Sequence, residues 1–142
     1  MTSSAGEAAG AATRALAVFH DRGAPEWGRL LAPGFRHCFA AVLTRGTWIV
    51  ADARGGALHL SAVARGDYDL AGFYRRHGFR VVAVTPPAGG AGTRRHPPLA
   101  AASCVGATKW LLGVHAPFVF TPRQLYRHLL TRPPVHPCQR SH

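Results

Sequence analysis

Apolar positions along the chain follow two periods, and the switch between them marks the elements. Phe35–Leu43 and Thr47–Asp52 are β-prone runs separated by Thr44-Arg45-Gly46, which predicts a hairpin with a glycine-containing loop. Ala57–Leu60 follows Gly55-Gly56 and extends the hairpin to a three-stranded meander. Asp67 then caps a helical stretch in which Leu70, Phe73, Tyr74 and His77 recur at i, i+3, i+4 and i+7, with Gly78 at its stop. Phe79–Val84 is rich in β-branched residues and reads as another strand. A Pro/Gly/Arg-rich loop from Thr85 to Pro98 follows, long enough to act as a lid or insertion.

Two helices complete the pattern. One runs from about Ser103 to Leu112 and stops at Gly113. The other begins in Thr121-Pro122-Arg123-Gln124, where Thr is the cap, Pro the first helical residue and Gln the capping-box partner. Leu125, Tyr126, Leu129 and Leu130 are its expected buried face. Ahead of the first strand, residues 1–15 are small and polar and read as a leader, and the segment through Trp27, Leu30 and Leu31 reads as a short helical piece ended by Pro33-Gly34. Residues 1–33 are thus a flexible leader with a short helical segment, 34–131 form one domain, and 132–142 are a disordered tail. No internal repeat is visible.

Length and composition narrow the function class. The 142 residues, 47% hydrophobic and 16% charged, suit a single α+β domain with a buried core. The longest apolar runs fall far short of the ~20 residues that cross a bilayer. The N-terminus lacks a basic stretch followed by an apolar core, so no signal peptide is recognised. Cys38, Cys104 and Cys138 are too few and too scattered for a disulfide framework, and no pair has zinc-ligand spacing. No metal or cofactor is called for, and the expected location is the cytoplasm or a virion.

The chain carries a net charge of +11 from 17 basic and 6 acidic residues. Lys109 is the sole lysine among them, so arginine dominates, which in an Ala/Gly/Pro-rich chain fits a GC-rich genome as well as selection for binding. The arginines spread over several elements and accompany no nucleic-acid motif. They would still draw the protein toward a polyanion.

Cys104 opens a helix, where unpaired N–H groups and the helix dipole favour the reactive thiolate and offer donors for an oxyanion. A nucleophile needs a base, and the base an orienting group. In the hairpin, alternation puts Phe35, His37 and Phe39 on one face, Arg36, Cys38 and Ala40 on the other, and Trp48, Val50 and Asp52 together. If the Cys104 helix packs on the His37 face, His37 takes the thiol proton and Asp52 fixes the ring tautomer.

The order of these elements (RHCFAAV, then TWIVAD, then ASCVGATKWLLGV) resembles the circularly permuted branch of the papain-like NlpC-type cysteine amidases and peptidases. The resemblance spans about Phe35 to Leu130 and implies a papain-like domain over 34–131, a central antiparallel sheet packed against the Cys-bearing helix. It makes Cys104 the nucleophile, His37 the base and Asp52 the polar third member. It implies cleavage or transfer at an amide of a peptide or peptidoglycan, or at a lipid ester, and small phage or prophage proteins share such a layout. Two departures stand out: Cys38 replaces the usual small residue after the strand histidine, and no separate upstream residue completes an oxyanion hole.

Each of these residues also has a structural reading. Asp52 can start the turn before Gly55-Gly56. Cys38 reads as packing and Cys138 as incidental to the tail. His59, His77 and His115 lack partners, Trp48, Trp110 and Tyr126 suit the core, and Lys109 lies on a helix face away from Cys104 and reads as solvated. The competing function is a non-enzymatic basic protein, whether a phage-type assembly factor, a nucleic-acid binder or an inactive relic of the fold.

Overall fold

The computed structural model describes residues 14–22, 29–85 and 103–131. Its most deeply buried strand is β1 (Ala15–His20), in which all six residues are buried. β1 lies between β2 (His37–Thr44) and β5 (Arg80–Val84) in a five-stranded antiparallel sheet that continues through β3 (Thr47–Arg54) to β4 (Ala57–Arg65) at the edge, in the order β4-β3-β2-β1-β5. Three helices, α1 (Leu70–Arg76), α2 (Cys104–Leu112) and α3 (Pro122–Leu130), make this a mixed α/β arrangement. The chain read as a leader over 1–33 therefore contains an interior, fully buried strand of the sheet. Its sequence, ALAVFH, has no polar face because neither face meets water, so the alternation that betrays a half-buried strand is absent.

The pleat of β1 divides two cores. Ala15, Ala17 and Phe19 join Cys38, Ala40, Val105, Leu112, Leu125 and Leu129 under α2 and α3. Leu16 and Val18 point the other way, with Phe39, Ala41, Trp48, Leu70 and Tyr74 under α1. Trp48 is buried as expected, whereas Trp110 and Tyr126 are half-buried.

Turn chemistry fixes the meander. Arg45 and Gly46 both have positive φ (48° and 74°), as do Gly55 and Gly56 (57° and 77°), and each pair forms a two-residue loop between facing strand ends. Loops of this hand match the twist of the strands they join. β4 runs on to Arg65, five residues beyond the expected end at Leu60, and is exposed almost throughout. Cross-strand bonding to β3, not burial, holds it.

The helix ends correct two expectations. Asp69, not Asp67, caps α1, its carboxylate accepting from the Gly72 N–H at 2.9 Å. Asp67 is exposed and lies 3.9 Å from Arg65. α2 stops at Gly113 in the left-handed conformation, and α3 carries the full Thr121/Gln124 capping box. Lys109, expected in solvent, instead donates to the carbonyls of Ala116 and Val119 at 2.9 and 2.8 Å, stapling the α2–α3 connection to α2. The segment around Trp27, the Thr85–Pro98 loop beyond Thr85, and the tail with Cys138 lie outside the described residues.

Leu130, expected on the buried face of α3, is 58% exposed, whereas Leu125 is fully buried. Replacing Leu125 by Ala leaves a cavity in the core and is expected to cost about 2–5 kcal/mol. Leu130→Ala is expected to stay within about 0.5 kcal/mol of the parent. Urea unfolding followed by circular dichroism separates the two.

Candidate active site

The entry to β2 is held from β1. Asp21, the residue after β1, accepts from the Gly34 N–H at 2.8 and 2.9 Å and from the Arg36 N–H at 3.3 Å. This clamp delivers His37 as the first residue of β2, 4% exposed. Asp52, near the end of β3, accepts from His37 Nε2 through Oδ1 at 2.6 Å and from Arg54 Nε through Oδ2 at 2.6 Å. Both carboxylate oxygens are thereby taken by cationic or imidazole donors. Arg54 stands two residues from Asp52 on the same strand, hence on the same face.

Cys104 is the first residue of α2. The Ser103 hydroxyl caps the helix, accepting from the Gly106 N–H at 2.9 Å. The N–H groups of Cys104 and Val105 stand in the first turn, where no intrahelical acceptor exists. His37 and Cys38, side chain and backbone, are the neighbours that favour the charged form of the Cys104 thiol. His37, Asp52 and Cys104, named together from the sequence, are thus neighbours in space.

They do not meet as expected, however. α2 packs on the face that carries Cys38 and Ala40, not on the face of Phe39 and Trp48. His37 and Cys104 meet because each opens its element, at the margin of the sheet. The β2–β3 ladder ends at Ala40↔Ala51, so His37 and Cys38 lie beyond its last pair.

Cys38 is therefore more than packing. It is fully buried, and its sulfur lies 3.6 Å from Thr108 Oγ1, one turn along α2 from Cys104. His20, at the end of β1, is a second residue beside the site. Its ring meets that of His37 edge-on, with centroids 5.2 Å apart, and stacks on Phe79. Its Nδ1 accepts from the Arg22 N–H at 2.9 Å, which leaves the hydrogen on Nε2, a buried atom without a partner among the described residues. His59 faces Asp52 across the β3–β4 ladder but is exposed, and His77 and His115 are exposed as well.

The electrostatics separate the charges cleanly. The hydrogen bond from Cys38 is the strongest influence on Cys104, and with His37 it outweighs burial and lowers the thiol to about 4. Cys38, bonded to that sulfur and buried, is held well above the usual thiol range and stays protonated. Burial opposes a charge on His37, yet its hydrogen bonds to Asp52 and Cys104 raise it to about 9. Burial likewise opposes a charge on Asp52, but His37 and Arg54 hold it below the usual carboxylate range. His20, desolvated and beside His37, is lowered to about 4 and stays neutral. The arrangement can therefore hold a thiolate–imidazolium pair backed by a carboxylate.

Among the described residues no cluster of His, Cys, Asp or Glu could hold a metal ion, and no helix is long and apolar enough to cross a membrane. No protein-family model matches the chain, and no curated protein or solved structure does either.

A thiol in the usual range loses about a hundredfold in alkylation rate between pH 7 and pH 5, because only the thiolate reacts. Cys104 is expected to keep nearly its full rate over that interval and to lose it as the pH falls through about 4. In His37→Ala the loss should begin at higher pH. Iodoacetamide labelling of Cys104, read by peptide mass spectrometry across pH, checks both.

Proposed function

We propose that this chain is a papain-like thiol hydrolase or acyltransferase of the permuted NlpC type, acting on an amide or ester. One observation carries the reading: His37 is bonded to the Asp52 carboxylate at 2.6 Å and interacts electrostatically with Cys104 at a helix start. A histidine held between a carboxylate and a thiol is the arrangement that nucleophilic acyl transfer requires.

The Cys104 thiolate attacks the carbonyl carbon. The oxygen gains negative charge and is received by first-turn N–H groups of α2, donors already fixed before the reaction. The His37 imidazolium gives its proton to the departing amine or alcohol, and an acyl-thioester on Cys104 remains. Neutral His37 then takes a proton from water, for hydrolysis, or from an acceptor amine or alcohol, for transfer. Asp52 holds the ring tautomer and stabilises the imidazolium, while Arg54 holds Asp52.

The resemblance to the NlpC-type family, not the site geometry, suggests the substrate class: a peptide, a peptidoglycan peptide or a lipid ester. The +11 charge adds attraction to an anionic wall polymer or membrane surface without selecting the scissile bond. A purely polyanion-binding protein would gain nothing from the buried His37–Asp52 pair, and for that reason the enzymatic reading is preferred.

p-Nitrophenyl acetate tests the proposal with no knowledge of the natural substrate. Wild type should release nitrophenolate in a burst and carry an acetyl group on Cys104, detected by mass spectrometry of the digested protein. Cys104→Ala should show neither, and Asp52→Asn should slow acylation by about tenfold or more. Acetylation of wild type no faster than that of a free cysteine at neutral pH would reject the reading.

A further inference from the structure

The acyl-transfer scheme uses one thiol, yet the structure sets two together. Cys104 is partly exposed, and Cys38 is fully buried behind it. The buried sulfur is placed against one face of α2: it touches Thr108 Oγ1 at 3.6 Å, and Cys104, one turn earlier, packs against the core cluster that contains Cys38. The two thiols come from distant parts of the sequence, and the strand–helix contact of β2 with α2 holds them in register. Their accessibility is unequal, so a reagent from solvent meets Cys104 first.

We infer that Cys104 is a site of hydroperoxide modification and that Cys38 is its resolving thiol, so that oxidation ends in a reversible Cys38–Cys104 disulfide. The inference rests on the reading of Cys104 as the nucleophile, and it adds a second chemistry to that site. In the first step the Cys104 thiolate attacks the terminal oxygen of a hydroperoxide, and the O–O bond breaks. His37 gives its proton to the departing alkoxide or hydroxide, the peroxide is reduced to an alcohol or water, and Cys104 is oxidised to a sulfenic acid. In the second step the Cys38 sulfur attacks the Cys104 sulfur, the S–O bond breaks, and hydroxide leaves with the Cys38 proton as water.

The buried position of Cys38 serves this role. A protonated thiol shielded from solvent is spared direct oxidation, yet it lies next to the one sulfur it must reach. While the disulfide stands, no thiolate is available for acyl transfer. A dithiol reductant would restore both groups.

The test uses the full chain with Cys138→Ser, which removes the third thiol. Parent and Cys38→Ala proteins, the latter checked for native circular dichroism, are exposed to a few equivalents of hydrogen peroxide and digested without reduction. The parent should yield a linked peptide containing Cys38 and Cys104, and dithiothreitol should restore iodoacetamide labelling of Cys104. In Cys38→Ala the linked peptide is absent, and labelling recovered after dithiothreitol should fall at least fivefold as Cys104 proceeds to sulfinic acid. The linked peptide is sought in protein with both thiols intact, so the test survives a poorly folded variant. Rapid alkylation of Cys104 without any linked peptide in the parent would overturn the inference and leave the acyl-transfer reading standing. Alkylation no faster than that of a free cysteine would remove both.

Discussion

A strand buried on both faces sets the terms for the whole fold. Every side chain of β1 must find apolar neighbours, so layers are required above and below the sheet, and the chain supplies α2 and α3 on one side and α1 on the other. Its backbone groups must also be paired on both edges, which β2 and β5 accomplish. The site inherits this rigidity. Asp21 leaves β1 and clamps the approach to β2, and His20 closes β1 and braces the His37 ring. Two of the supports around the candidate base thus come from the end of one buried strand.

Charge balance is the second constraint. A thiolate, a carboxylate and an imidazolium in a desolvated margin would be costly singly, because burial penalises each ion. Together with Arg54 they form alternating signs: Cys104 negative, His37 positive, Asp52 negative, Arg54 positive. The cation that completes the series is half-exposed, so the series ends in water. Cys38 stabilises the thiolate by a neutral hydrogen bond, which adds no further charge to the group.

Much of this was legible in the sequence because the signals were local. The β2–β3 hairpin is announced by its turn, α3 by its capping box, and the union of His37 with Asp52 by alternation along neighbouring strands. What escaped depends on tertiary placement. β1 carries no period, because a strand hidden on both sides has no polar positions to alternate. Alternation separates Cys38 from His37 correctly, but it cannot say which face α2 covers, so from sequence alone the buried thiol reads as packing. The helix position of Lys109 alone suggests solvent, while its partners lie on the connection that follows. His20 could not be noticed until β1 was recognised. Arg54 was the one missed neighbour with a visible signal, two positions after Asp52.

The exposed edge strand β4 bears on how the molecule comes apart. Almost nothing buries β4, so its hydrogen bonds to β3 open at little cost, and fluctuations in native conditions should concentrate there. Asp52 lies one strand further in. Peeling of β4 would leave β3 paired to β2, and the carboxylate would stay against His37. The outer strand thus works as a sacrificial margin: amide exchange spends itself on β4, and the strands that carry the histidine and its acid open only with the cooperative core.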